Sequence, residues 1–249
     1  MVSDIIALIP ARSGSKSLVD KNIKLLNGHT LLAYSVRVAC LTKAIGRVIV
    51  STDSEEYASI AKKYGAEAPF LRPKEISQDQ STDLDVMEHA LDWLEKHEGS
   101  VPRLIVHLRP TAPLREPQAI EEAIQVIEAD NTATALRSIQ EMPESAYKWF
   151  EVDGEYLACL CTHSRDIEAS NLGRQHYPKT YEPNGSIDIL KTDFILRNKK
   201  IHGDRVRAFH SRRVVDIDDE EGFDMAAFQF MKNKDLYNEY FNSYEPMSP

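Results

Sequence analysis

Residues 5–22, IIALIPARSGSKSLVDKN, decide how the chain is read. Ile5, Ile6, Ala7, Leu8 and Ile9 form an apolar, β-branched run with the length of a buried strand, and Pro10 closes it. Then comes a polar turn of small residues (Ser13, Gly14, Ser15) carrying Arg12, Lys16 and Lys21, with Asn22 at its end. A loop of this kind can aim backbone N–H groups at an anion while Arg12 and Lys16 neutralise it. It can equally be a solvated strand-to-helix connection with incidental basic residues. It lacks the spacing of a Walker loop and of the dinucleotide fingerprint.

Outward from this loop, strand-like and helix-like segments alternate. Residues 30–40 have apolar residues at helical spacing behind Thr30 as N-cap, and 47–50 form a second β-branched run ending in Ser51-Thr52-Asp53-Ser54. Helices are expected over 55–64, 84–97 and 117–129, and strands over 104–108 and 132–136. Short connections between such elements predict an α/β fold, a mostly parallel sheet with helices on both faces. Ligands of such sheets bind outside the carboxyl ends of the strands. The polar segments 11–22, 51–54 and 109–116 should therefore converge on one edge.

The rhythm changes after about residue 141. Lys148-Trp149-Phe150 and 155–161 read as antiparallel strands around the turn pair Asp153-Gly154, with Cys159 and Cys161 on one face. We expect one domain over 1–249, with an inserted subdomain at about 140–180 for dimerisation or a second substrate. Strand character resumes over 187–190, 206–209 and 214–218, and an amphipathic helix closes the pattern at 220–232.

Composition narrows the function. With 249 residues, 42% hydrophobic and 28% charged, the chain is ordinary globular material. A net charge of −9 argues against a nucleic-acid or membrane-surface partner, and it makes the local cationic loop more informative. Three cysteines without a CxxC build no disulfide framework and suit a reducing cytoplasm. With a strand reached within about five residues we expect no signal peptide, and no apolar run approaches membrane-spanning length.

Asp216 and Asp218 are the sharpest acidic pair. On a strand they would share one face with Val214 and could hold a magnesium ion together with phosphate oxygens. They could equally open the acidic first turn of the next helix. His107 reads as a satisfied core residue, and Arg109, Arg115, Lys148 and Arg174 singly read as surface cations. No HExxH, Cys-His cluster or GxSxG is present, which disfavours zinc and serine hydrolysis. A basic loop for a polyphosphate, a carboxylate pair for its metal and a cationic insertion for an anionic second substrate make up the inventory of a nucleotidyl transferase.

The same residues resemble a family. IPARSGSKSLVDKNIKLLNG, RVIVSTDSEEYASIAKKYGAEAPFLRP, LRPTAPLRE, PNGSIDI and VVDIDDEEGFDMA, in that order, are similar to the blocks of the acylneuraminate cytidylyltransferases, over about residues 5–230. The resemblance implies a reaction of CTP with a 2-keto sugar acid, giving a CMP-sugar and pyrophosphate with Mg2+, in a homodimer. It places Arg12, Ser13, Gly14, Ser15, Lys16, Lys21 and Asn22 in the triphosphate and cytosine loop. Arg72 and Ser81, with Thr82, fall near the base, and Asp216 and Asp218 at the metal. Catalytic roles would fall to Arg12, Lys16, Lys21 and Asp218. The sugar side would comprise Arg109, Lys148, Arg174, Gln175, Asn184 and Asp188.

Two departures stand out. Arg109 stands where many members have a neutral amide, and Asp188 where they have an aromatic residue; Glu182 also departs from the pattern. Since these positions resemble those lining the sugar pocket, the acid could be neuraminic, legionaminic, pseudaminic, deaminated nonulosonic or octulosonic. Two other readings remain: a nucleotidyltransferase acting on a sugar phosphate with another nucleotide, or a sugar-nucleotide-binding module without catalysis.

Overall fold

The computed structural model describes residues 4–247. In chain order the larger elements are β1 (Ile5–Pro10), β2 (Leu25–Leu26), β3 (His29–Thr30), α1 (Leu31–Leu41), β4 (Arg47–Ser51), α2 (Glu55–Lys63), α3 (Asp83–Glu98) and β5 (Leu104–His107). They continue with α4 (Pro117–Glu128), β6 (Ala135–Glu141), β7 (Phe150–Asp153), β8 (Tyr156–Cys159), β9 (Tyr181–Lys191), α5 (Thr192–Asn198), β10 (Val206–His210), α6 (Glu220–Lys232) and α7 (Lys234–Glu239).

β1 is buried on both faces, and its alternation sorts the core. Ile5, Ala7 and Ile9 enter one apolar cluster with residues of α1, α2, α4 and α6; Ile6 and Leu8 enter another with Val86, Met87, Ala90, Leu91 and Leu94 of α3. Period-two side chains on a strand covered from both sides give the continuous apolar run seen in the sequence. The main sheet has the order β10-β6-β9-β5-β1-β4. β1 pairs in parallel with β4 and with β5, while β9 runs antiparallel to β5 with His107 opposite Asp188. The chain has an α/β fold, as the alternation predicts.

Local signals set the helix starts. Thr30 caps α1 by accepting from Ala33 N–H, and Ser54 caps α2 by accepting from Tyr57 N–H. Thr82 opens α3 through a reciprocal capping box with Asp85.

Several expectations need correction. Residues 211–219 form no strand. Val214 and Ile217 are buried whereas Asp216 and Asp218 are exposed, and Ile217 N–H donates to Thr111 C=O, so loop docking and not a strand register sets their direction. Asp219, not Asp218, caps α6, accepting from Gly222 N–H. The strand expected at 132–136 begins only at Ala135, because Asp130 gathers Thr132 and Ala133 N–H into a turn. β8 ends at Cys159, which is buried while Cys161 is exposed, so the two thiols do not share a face.

By internal contacts the chain falls into two compact units. The larger comprises the described residues up to Ser138, then Asn184–Phe209, then those from Val214 onward; the smaller comprises Ile139–Pro183 and His210–Arg213. Within the smaller unit, β7 and β8 form an antiparallel hairpin, and Ser145 Oγ donates to Pro178 C=O. No helix among the described residues is long and apolar enough to cross a membrane.

Candidate active site

The parallel strands β1 and β5 empty their carboxyl ends toward one cavity of about 490 Å3 in the larger unit, whereas the segment 51–54 after β4, expected to join them, does not line it. Arg12, Ser15, Lys16, Lys21, Asn22, Arg72, Ser81, Thr82, Asp83, Arg109 and Thr111 line it. The cationic loop is anchored to its neighbours. Ala11 N–H donates to Ser51 C=O, and Ser13 donates through both N–H and Oγ to the two oxygens of Asp53, each at 2.8 Å. Burial opposes ionisation of Asp53, but these two bonds hold its carboxyl below the usual range. Gly14 turns the loop at φ +68°, in the left-handed region that favours glycine. Asn22 is buried and its amide donates to Arg12 C=O at 2.9 Å.

Here the pairing partners are ones the sequence reading missed. Arg12 bonds Asp79 at 2.8 Å, and Lys16 pairs with the other oxygen of the same carboxylate. Asp79 sits in the polar segment before α3, too far along the chain for any spacing rule to connect it. Arg72 is 4% exposed; its Nε donates to Ser77 Oγ at 3.0 Å and its N–H to Thr52 C=O at 2.7 Å. Ser81 Oγ accepts from Gln78 N–H, and Thr82 is occupied as the α3 cap.

The late aspartates approach from another segment of the same unit. Lys21 Nζ bonds Asp218 Oδ1 at 2.9 Å, leaving Oδ2 of this exposed carboxylate open. Gly185 lies beside Asp216, at φ +62°, and a Cβ there would meet Asp216 Oδ2 at 3.0 Å. The glycine therefore leaves room for that carboxylate. Neither aspartate lines the cavity, and each is a hard oxygen donor of the kind magnesium takes alongside phosphate and water. Among the described residues no group of three or more His, Cys, Asp or Glu side chains could hold a metal unaided.

Arg115, expected on the surface, is 2% exposed. Its Nε donates to Ser186 C=O, Nη1 to Ser35 Oγ at 3.0 Å, and Nη2 to the carbonyls of Arg109 and, at 3.2 Å, Gly185. Burial lowers its pKa to about 9, so it remains a cation at neutral pH.

The sugar-side candidates do not all meet. Arg109 bonds Asp188 at 2.8 Å and Asp83 at 2.6 Å. The two departures from the family pattern are thus each other's partners, and Arg109 is no surface cation. Asn184 is buried, its side-chain oxygen accepting from Ser138 Oγ at 2.7 Å and from Ser186 N–H, which makes it a strut of β9. In the smaller unit, Arg174 and Gln175 line a second cavity of about 380 Å3 with Glu141, Ser145, Tyr177 and Lys179. Lys148 does not line it and pairs with Glu144 at 3.1 Å. Glu182 accepts from Gln140 at 2.8 Å in the same unit.

With this geometry in view, the chain can be set beside known proteins. A family model described as Cytidylyltransferase matches residues 6–242, and the chain belongs to that family. It is 32% identical to the N-acylneuraminate cytidylyltransferase of Escherichia coli over 97% of this chain, but spans only 57% of that protein's length. It is 30% identical to the CMP-N,N'-diacetyllegionaminic acid synthase of Campylobacter jejuni, covering 91% of this chain and 95% of the relative. Among solved structures, CMP:2-keto-3-deoxy-manno-octonic acid synthetase complexed with CTP superposes with a TM-score of 0.67 at 14% identity, covering 93% of this chain and 100% of that one. That last likeness establishes the fold.

His107 gives a testable consequence of this packing. It is fully buried, and neither ring nitrogen has a hydrogen-bond partner among the described residues, so it is not the satisfied core histidine expected. Burial, then the charge of Arg109, lowers its pKa to about 4. As pH falls below 6.5 the unfolded chain takes up a proton that the folded chain refuses, so stability is lost between about pH 6.5 and about 4. Urea unfolding at pH 7 and pH 5 should show His107→Leu losing less stability than the parent over that interval. The full titration span corresponds to about 3 kcal/mol. Equal losses in the two proteins would remove His107 from the acid sensitivity.

Proposed function

We propose that this chain transfers a cytidylyl group from CTP to a 2-keto sugar acid, giving a CMP-sugar and pyrophosphate. The observation that carries this reading is the convergence of Arg12, Lys16, Lys21 and Arg72 on one cavity at the strand ends of an otherwise acidic chain. The names of the relatives support the same chemistry. The anomeric hydroxyl of the acid, losing its proton, forms a bond to the α-phosphorus, and the bond to the pyrophosphate oxygen breaks. Arg12 and Lys16 neutralise the departing phosphates, for which the Asp79 carboxylate is the resting counter-ion. Lys21, 12% exposed and fixed by Asp218, holds a directed positive charge beside them. Arg72, held by Ser77 and Thr52, frames the nucleotide side.

Asp216 and Asp218 would hold Mg2+, which supplies charge neutralisation on the triphosphate when bound. The assay is pyrophosphate release with CTP and a panel of 2-keto sugar acids, with other nucleotides and sugar phosphates as controls. Lys16→Ala should lower turnover by about two orders of magnitude while leaving the thermal midpoint in place. Asp218→Asn should shift the magnesium titration to higher concentration. Turnover only with sugar phosphates would keep the fold argument and overturn the substrate.

We further propose that the chain acts as a homodimer in the reducing cytoplasm, where its free thiols are at home. The smaller unit supports a self-association surface: Trp149, Phe150, Val152, Tyr156, Leu157 and Leu160 are all more than a third exposed around one hairpin. Light scattering at micromolar concentration should give twice the chain mass, and Val152→Asp combined with Tyr156→Asp should halve it. A monomeric parent would overturn this reading.

A further inference from the structure

Two lips of the cavity are joined by one carboxylate. On one lip Arg12 and Lys16 extend from the loop after β1; on the other Asp79 sits in the turn 78–81, which Ser81 N–H closes by donating to Gln78 C=O at 3.1 Å. Arg12 Nη2 bonds Asp79 Oδ1 at 2.8 Å and Lys16 Nζ pairs with Oδ2, so each oxygen meets a different cation. Lys16, and then Arg12, hold this carboxyl below the usual range, which keeps it an anion at neutral pH. The bridge lies at the mouth: the Lys16 side chain is 83% exposed and that of Asp79 43%, whereas Asn22 and Arg72, lining the same cavity, are buried.

Both lips are held from behind. Ser13 fixes the loop to Asp53, and the Asn22 amide holds the Arg12 carbonyl. The turn is flanked by Ser77, which accepts from Arg72 Nε, and by the capping box at Thr82. Gln78 adds a bond from its N–H to Ser81 Oγ at 2.8 Å and one from its amide to Lys74 C=O at 2.6 Å. All of these groups belong to the larger unit. With the backbone secured on either side, opening the bridge asks for movement of three side chains only. Here the two loop-facing aspartates differ. Asp53 bonds a backbone N–H and a hydroxyl and is an anchor, while Asp79 bonds the charged ends of two long side chains, which another anion can take over.

One negative charge shared by two cations leaves them under-neutralised. A polyphosphate brings several charged oxygens that can face both cations at once, and it cannot hold Arg12 and Lys16 while Asp79 does. The two anions therefore compete. Exposed pairs such as these are weak, so the polyphosphate wins, but its apparent affinity is lowered by the fraction of molecules in which the bridge is closed.

We propose that Asp79 is an internal stand-in for the substrate's polyphosphate: a positioning residue that keeps Arg12 and Lys16 together in the empty site, gives way to the phosphates, and re-pairs with both cations as pyrophosphate leaves. This rests on the phosphate placement in the cytidylyltransferase reading and holds whichever sugar is used. Its mark is a sign. Removing a group that supports the loop or binds the substrate's metal weakens ligand binding; removing a competitor strengthens it.

Isothermal titration calorimetry of the full chain with inorganic pyrophosphate and with CTP, each in magnesium and in EDTA, tests this. Asp79→Asn should bind pyrophosphate about three- to tenfold more tightly than the parent in both conditions, and CTP likewise, with the thermal midpoint in place. Asp79→Glu, which keeps the charge, should return the affinity toward the parent value. In a Lys16→Ala background the gain from Asp79→Asn should be smaller, since one of the two cations it frees has gone. Affinity for pyrophosphate that is unchanged or lowered in Asp79→Asn overturns this inference while leaving the cytidylyltransferase reading standing, and a loss seen only with magnesium makes Asp79 a metal ligand instead. Tighter pyrophosphate binding in a chain whose turnover requires a nucleotide other than CTP upholds the inference and overturns that reading. A parent that binds neither pyrophosphate nor CTP overturns both.

Discussion

The site depends on one buried guanidinium. Arg115 reaches carbonyls on two separate segments, the Arg109 end of its own loop and Gly185-Ser186 at the start of the buried part of β9, and it also touches Ser35 of α1. Tyr240 in turn donates to the Arg115 carbonyl at 2.9 Å, so the C-terminal segment is tied to the same point. A single planar cation with several donors can satisfy backbone oxygens that no strand ladder reaches. Its burial is tolerated because those bonds replace its water. Through it the third strand-end loop, the glycine beside Asp216 and the first helix are held as one framework.

On that framework the cavity is a balance of paired charges. The cationic loop is pinned at Asp53, its two outward cations share Asp79, and Lys21 meets Asp218. Exposed pairs of this kind contribute little to stability. Their value is orientation: each long side chain already points where an anion would replace the carboxylate, so less conformational freedom is lost when substrate arrives.

Legibility in the sequence followed the range of the interaction. The strand–helix alternation, the caps at Thr30 and Ser54 and the basic loop after β1 were all readable, because each is decided within a few residues. The helix signal at Asp219 was readable too, although its neighbour Asp218 turned out to serve Lys21. Arg115 was misread because nothing in PLREP distinguishes a buried cation from a solvated one. Likewise, the extended stretch 214–218 looked like a strand by composition, yet it docks as a loop in which Ile217 N–H donates to Thr111 C=O.

By itself, then, the sequence determined the class of fold and the location of the phosphate-directed loop, since apolar periodicity and turn chemistry are local properties. Only the tertiary structure decided who pairs with whom: Arg12 with Asp79 across 67 residues, Arg109 with Asp188 across 79, Lys21 with Asp218 across 197. Those partners are selected by the strand order β9-β5-β1-β4 and by the loops that leave it, which place distant segments within hydrogen-bond reach. Charge pairing needs distances of about 3 Å, and spacing along the chain carries no information about separations of that kind once the sheet has reordered its strands.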